Sequence, residues 1–475
     1  MVAPWVRDEL VTADLDDARL DQRFALLLSA LGQRPNLSIP AACGGRAEMT
    51  AAYRFFDNPK VTFAKVLRPH ADRTRQRLAG QPVALLVQDT TEADVTRPGS
   101  VVDGVGELDG ARRGFLVHAL HAFTPEGTPL GTVWAEVLNR TDGVSHAPKA
   151  QKEHEKKHTP FAGKESLRWL TGLQQARDVA EHLPGVNCVC VADSEADIYE
   201  LLVEPRGPLQ LLIRACQDRA VATEAEGGHL RAEVLATPVL YTVALTIRGR
   251  KAKTAAERRS RRQNRESRQA TVEVRAATVT LRPPWRFDRE LPAVTVNVVL
   301  VREPDPPAGE PPVEWLLLTT LPIATPEQVR TVVAYYCVRW GIELLFRTLK
   351  SGCRVEERRF EHLDRVLPCL ALFLIVAWRT LAVCRLSREC PDLDCEALFE
   401  PSEWRAVWVA IHKQKPPKTA PRLAALVHLI AQLGGYVERP RSEPGPQTVW
   451  IGMQRMYDLA WAWDTFGPGA KLSSG

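Results

Sequence analysis

The chain has 475 residues, 45% of them apolar and 25% charged, and a formal net charge of +5. This composition excludes collagenous, natively disordered and disulfide-dense secreted classes, and at about 150 residues per domain it predicts roughly three domains. Ten cysteines form no CxxC pair, so reduced thiols in a cytoplasmic protein are expected.

Residues 1–75 predict a helical domain, with an amphipathic DDARLDQRFALLLSALGQ and then RAEMTAAYRFFDNP, closed by a turn at Asn58-Pro59. The opening MVAPWVRDELVTADL is too acidic for a signal peptide. PVALLVQD then predicts a short buried strand ending at Asp89. GFLVHALHAF and TPLGTVWAEVLNR predict a hairpin around Thr124-Pro125-Glu126-Gly127. KESLRWLTGLQQARDVAEHL predicts a helix, NCVCVAD a buried strand ending at Asp193, and LQLLIRA another strand. This order predicts an α/β fold with a mixed sheet, the two aspartates sharing the edge where open sheets bind ligands.

From about 218 to 321 the chain turns β-rich, broken by PDPPAGEPP and by Arg248 to Arg268, which holds ten basic residues against two Glu. That run and Lys149 to Lys164 suit a polyanion, although each also reads as a solvated loop. The longest apolar run, Val366 to Trp378, has 13 residues, short of the roughly 20 that span a bilayer. A core helix is expected there, and no membrane association. Helices resume beyond 385, interrupted by KQKPPKTAP and RPRSEPGPQ.

The most informative segment is YCVRWGIELLFRTLK, from Tyr336 to Lys350. A helix is signalled by Thr325 as N-cap, Pro326 at the first position, Gln328 completing a capping box and Gly352 past the end. At about 100° per residue, Tyr336, Arg339, Glu343 and Lys350 fall within a sector roughly 60° wide. A carboxylate between two cations and a phenol suits a metal ion held against a phosphodiester. The same spacing also makes ordinary ion pairs of Arg339 with Glu343 and Glu343 with Arg347. Asp89, Asp193 and Glu343 without histidine or cysteine favour Mg²⁺ or Mn²⁺ over zinc. Two such ions serve phosphodiester cleavage and transesterification alike. Strand-end aspartates equally cap turns.

YRFFDNP at Tyr53, QDTT at Asp89, DSEADIY at Asp193, EWLLLT at Glu314 and the tyrosine-arginine-glutamate-lysine spacing from Tyr336 occur in an order that resembles the bacterial cut-and-paste DDE transposases of the insertion-sequence-four family. The resemblance covers nearly the whole chain, to LGGYVERPRSEPGPQTVWIGMQRM. It implies a ribonuclease-H-like mixed sheet core with a β-rich insertion at about 218–321, inside a catalytic domain at 76–385. A helical DNA-end recognition domain at 1–75 and a helical C-terminal dimerisation region at 386–475 would flank it. It further implies Asp89, Asp193 and Glu343 as metal ligands, Tyr336, Arg339 and Lys350 as residues that grip phosphates next to a flipped base, and Trp315 as the surface on which that base stacks. Arg54 matches an arginine that contacts transposon-end DNA, and Arg214 a basic residue near the active site. Trp315 as a packed strand residue and Arg54 as a surface helix arginine are the plainer readings. The partners implied are double-stranded DNA, both terminal repeats and target, and a second copy of the chain in a synaptic complex, on the bacterial nucleoid.

Three departures stand out. The pattern DREAD of the family reads Asp193-Ser194-Glu195 here, Gly341 sits inside the helix, and the chain continues only briefly past AWAWDTF. The departures leave open a catalytically impaired, transposase-derived DNA-binding protein or repressor. A ribonuclease-H-type structure-selective nuclease is the third reading.

Overall fold

The computed structural model describes residues 2–140, 151, 155, 158–222, 228–247, 266–310, 312–438 and 442–468. Most of the basic run from Arg248 to Arg268, and part of that from Lys149 to Lys164, lie outside the described residues. The chain forms two compact units, one of residues 1–146 with 340–475 and one of residues 147–339.

The first unit opens with helices α1 (Pro4–Glu9), α2 (Ala18–Gln33), α3 (Ile39–Cys43), α4 (Arg46–Phe56) and α5 (Phe63–Ala79). Asp17 starts α2 by accepting the Arg19 N–H, and Phe24, Leu27, Leu28 and Leu31 bury one face of it. Strands β1 (Val83–Asp94), β2 (Glu107–Asp109), β3 (Arg112–Phe123) and β4 (Pro129–Leu138) follow. They are antiparallel, with β3 pairing β1, β2 and β4. The expected hairpin is present, closed by Thr124 N–H to Thr128 O at 3.0 Å with Gly127 at φ +92°. One expectation is corrected: β1 does not stop at Asp89. Its polar half continues to Asp94 because β3 pairs it residue for residue, from Asp89 opposite Ala119 to Asp94 opposite Gly114.

The second unit contains α6 (Leu167–His182), β5 (Asn187–Ala192), α7 (Tyr199–Val203), β6 (Gln210–Arg214), α8 (Leu230–Leu235), β7 (Tyr241–Ile247), β8 (Arg268–Leu281), β9 (Val294–Arg302), β10 (Glu314–Thr319) and α9 (Pro326–Val338). Its strands run in the order β5-β6-β10-β9-β8-β7. The β5–β6 pair is parallel and the others are antiparallel. The result is the mixed sheet expected of the α/β class, with the β-rich segment supplying its antiparallel part.

The chain then returns to the first unit through α10 (Trp340–Arg347), α11 (Leu363–Glu389), α12 (Pro401–His412), α13 (Leu423–Leu433) and α14 (Pro446–Phe466). The predicted continuous helix from Thr325 is corrected. Its capping box is present, but helix α9 ends at Val338, α10 begins at Trp340, and Thr348–Gly352 form a π-helical turn. The four signature side chains therefore do not lie on one regular helix. The helix α11 is long and apolar enough to cross a membrane by composition, yet it is buried inside the protein, as expected of a core helix.

Beneath α11 sits a buried polar network. Arg77 bonds Glu9 with both terminal nitrogens and Leu130 O with Nε, and its guanidinium lies 4.3 Å from the Trp378 ring centroid. His70 joins through Nδ1 to Glu9, while its Nε2 accepts the Thr132 N–H at 3.0 Å. That last bond fixes the neutral imidazole with its proton on Nδ1, since a second N–H would face the Thr132 donor. All ten cysteines are free.

Candidate active site

In the first unit, Asp89 is half-buried in the middle of β1 and Glu343 lies in the first turn of α10, which packs against β1. The helix seats there by burying Ile342, Leu345 and Phe346. Gly341 explains how closely it lies: a Cβ at that position would stand 2.6 Å from Cε1 of Phe123, at the end of β3. The glycine is required by the Phe123 ring, which is the physical reason for a residue that weakens a helix.

Strand alternation turns Asp89 to one face of β1 and Gln88 and Thr90 to the other. On that other face, His118 is fully buried, with Nδ1 2.8 Å from the Thr90 hydroxyl and Nε2 3.1 Å from Gln88 Oε1. His118 thus steadies the segment carrying Asp89, a role that sequence reasoning missed; its signal was one of two histidines in the apolar run GFLVHALHAF. Asp89 Oδ1 accepts the Thr90 N–H at 2.7 Å. Lys350 belongs to the π-helical turn, with Nζ 3.4 Å from Glu356 Oε1. The same oxygen accepts the Asp94 N–H at 3.0 Å, so Lys350 is tied to the end of β1.

Arg54 is exposed on α4 and lines a hollow of about 870 Å³ with Arg19, Arg23, Arg46 and Asn58. These three further arginines were not singled out from the sequence, because α2 and α4 meet only in the folded chain.

The second unit brings together Asp193, Arg214, Trp315, Tyr336 and Arg339. Asp193 follows β5 directly, and its Oδ1 accepts the Glu195 N–H at 2.8 Å. It therefore caps the short turn at Ser194–Ala196, which is compatible with its second oxygen meeting a ligand. Half-buried Trp315 on β10 stands edge-on to Tyr336 of α9, with centroids 5.3 Å apart and planes at 67°. The Arg339 guanidinium is 5.9 Å from the Tyr336 ring centroid. Tyr336 is only 5% exposed. Burial pushes its phenol up, Asp193 adds to this, and Arg339 and Arg214 oppose it. Arg214 donates from Nη2 to Glu314 O at 3.3 Å.

Among the described residues, no three His, Cys, Asp or Glu side chains of one unit surround a common point. The candidate metal ligands are instead distributed, with Asp89 and Glu343 in the first unit and Asp193 in the second. Their chemistry fits a hard divalent cation: all three are carboxylates, and a backbone N–H orients one oxygen of each aspartate.

Three domain families match the chain. The transposase DNA-binding family matches residues 2–61, the transposase DDE domain residues 173–377, and the transposase Tn5 dimerisation domain residues 375–461. Arg54 falls in the first span. Asp193, Arg214, Trp315, Tyr336, Arg339, Glu343 and Lys350 fall in the second, and Asp89 lies outside all three.

Proposed function

We propose a cut-and-paste reaction for this chain, from the premise that its three domains supply: it is a Tn5-like DNA transposase of the DDE type. The observation that supports the finer reading is the cluster of Trp315, Tyr336 and Arg339 beside Asp193, within the DDE match. In this reading Asp89, Asp193 and Glu343 hold Mg²⁺ or Mn²⁺, two ions in all. A cation bound there would lower the pKa of the attacking water or hydroxyl and neutralise charge developing at phosphorus.

The chain's own residues then divide the work. Arg54, with Arg19, Arg23 and Arg46, grips the backbone of a terminal repeat. Lys350 and Arg339 neutralise phosphates next to the cleaved bond. Trp315 stacks a base turned out of the duplex, and Tyr336 sets the tilt of its indole. Unstacking one base costs a few kcal/mol and frees the slack that a tightly bent strand end requires. The order of steps is nicking at the element end by water, attack of the freed 3′-hydroxyl on the opposite strand to close a hairpin, hairpin opening, and strand transfer into target DNA. Two copies act on two ends, joined through residues 386–475. Residues 1–75 read the end and residues 76–385 carry out the chemistry. The spacing of Tyr336, Arg339, Glu343 and Lys350 supports placement in the insertion-sequence-four family, acting on the bacterial nucleoid in the cytoplasm without a membrane partner.

The test incubates the purified full chain with Mg²⁺ and duplexes carrying the inverted repeats that flank its reading frame. A nick followed by a hairpin, resolved on a denaturing gel and resistant to random competitor DNA, is expected. Equal cleavage of random DNA without a hairpin would point to a structure-selective nuclease. Specific binding without cleavage would point to a repressor.

A further inference from the structure

Ser194 stands where the related pattern carries a basic side chain, yet its surroundings are strongly basic. A hollow of about 400 Å³ is lined by Ser194, Arg214, Cys216, Arg231, Glu314 and Leu316. Arg231 comes from α8 and pairs with Glu314, whose other oxygen is 3.7 Å from Arg302 Nε. Two arginines thus share the Glu314 carboxylate, and Arg214 donates to the backbone oxygen of the same residue. The walls are fixed by buried Asp197: its Oδ2 accepts the N–H groups of Cys216 and Gln217, each at 2.8 Å, and its Oδ1 pairs with Arg219 Nη2 at 2.6 Å. Cys216 Sγ reaches Ser194 O at 3.4 Å. The loop after β6 is therefore fastened to the turn that carries Asp193.

We propose that Ser194, Arg214 and Arg231 form a seat for one DNA backbone phosphodiester beside Asp193, with Arg231 supplying from α8 the charge that position 194 lacks. The proposal rests on the reading of Asp193 as an active-site residue, and it adds a contact that the sequence signature does not contain. The ligand chemistry follows from the donors. A guanidinium presents a fork matched to two phosphate oxygens, and the serine hydroxyl is short enough to leave the hollow open. Arg214 and Arg231 line the hollow with Glu314 as its one carboxylate, which leaves positive charge to be met by a polyanion. Because such a contact releases condensed counterion, it is visible in the salt dependence of binding.

The experiment measures binding of the full chain to a fluorescent terminal-repeat duplex between about 50 and 200 mM salt. It compares wild type, Arg231→Gln and the double variant Arg231→Gln/Ser194→Arg. Arg231→Gln should weaken binding roughly tenfold and reduce the slope of log K against log salt by about 0.9, the value for one phosphate. Ser194→Arg in that background should restore both. Wild-type affinity in Arg231→Gln, weakened binding with an unchanged slope, or a slope that Ser194→Arg does not restore would each overturn the seat. Nicking by the wild type on the same duplex is scored in parallel, so a failure of the transposase reading is distinguishable from a failure of the seat.

Discussion

Replacing Gly341 by alanine is the most informative perturbation of α10. The new Cβ would stand 2.6 Å from Cε1 and 2.8 Å from Cζ of Phe123, whereas carbons rest about 3.5–4.0 Å apart. Roughly 1 Å of separation has to be found. Phe123 is 1% exposed and its centroid is 4.8 Å from that of His121, so the ring has little room to yield and the helix must shift. Overpacking costs about 1–3 kcal/mol, and alanine regains about 1 kcal/mol of helix propensity. A net destabilisation of about 1 kcal/mol is expected in urea unfolding. Activity should suffer more, because the shift carries Glu343 away from β1, and misplacement by about 1 Å costs on the order of 100-fold in rate. First-strand nicking should fall tenfold or more, on the order set by that misplacement, and Phe123→Leu in the same chain should recover part of it by making room. A Gly341→Ala chain that is more stable than wild type and nicks at the wild-type rate would refute the argument.

Three other outcomes follow from the same geometry. Trp315→Ala should slow hairpin closure, followed on denaturing gels, far more than the first nick; equal losses would remove the base-stacking role. Gly452→Ala should destabilise the chain by about 3 kcal/mol, because its Cβ would collide with the Ile430 carbonyl where α13 and α14 cross; unfolding midpoints measure this, and a neutral result would contradict the crossing. The buried network predicts acid sensitivity. Burial holds His70 below its ordinary 6.5 despite Glu9, so the folded chain binds fewer protons than the unfolded one, and stability present above 6.5 is lost as pH falls below it. The limiting slope is about 1.4 kcal/mol per pH unit for one proton. Burial alone would raise Glu9, but its contacts to His70 and Arg77 outweigh this and hold its carboxyl down, which extends the loss below 4.5. His70→Gln should flatten the upper part of the curve in urea titrations from about pH 7.5 to about 5; an unchanged slope would show that His70 does not titrate in this way.

Much of this architecture is legible in the sequence because alternation is a local signal. The runs NCVCVAD, LQLLIRA and AVTVNVVLV became β5, β6 and β9. The N-terminus of α9 was equally local, since Thr325 and Gln328 form their box within one turn. What escaped depends on distant partners. The polar end of β1 is a strand because β3 pairs it. The π-helical turn that places Lys350 packs Gly352 against Trp450, nearly a hundred residues away. His118 and Arg231 bear no motif, and each acquires its place by meeting residues from other elements, Thr90 for one and Glu314 for the other. Of the aspartates, Asp193 is both the turn cap and the candidate ligand, two readings that sequence alone set against each other.

The central claim is that Asp89, Asp193 and Glu343 act together on a phosphodiester. The direct measurement is Mg²⁺-dependent nicking of terminal-repeat DNA by Asp89→Ala, Asp193→Ala and Glu343→Ala, with binding of the same duplex recorded alongside. Each variant should bind at close to wild-type affinity and fail to nick. Retained nicking in any one of them would contradict the assignment of that residue, and with it the three-carboxylate site.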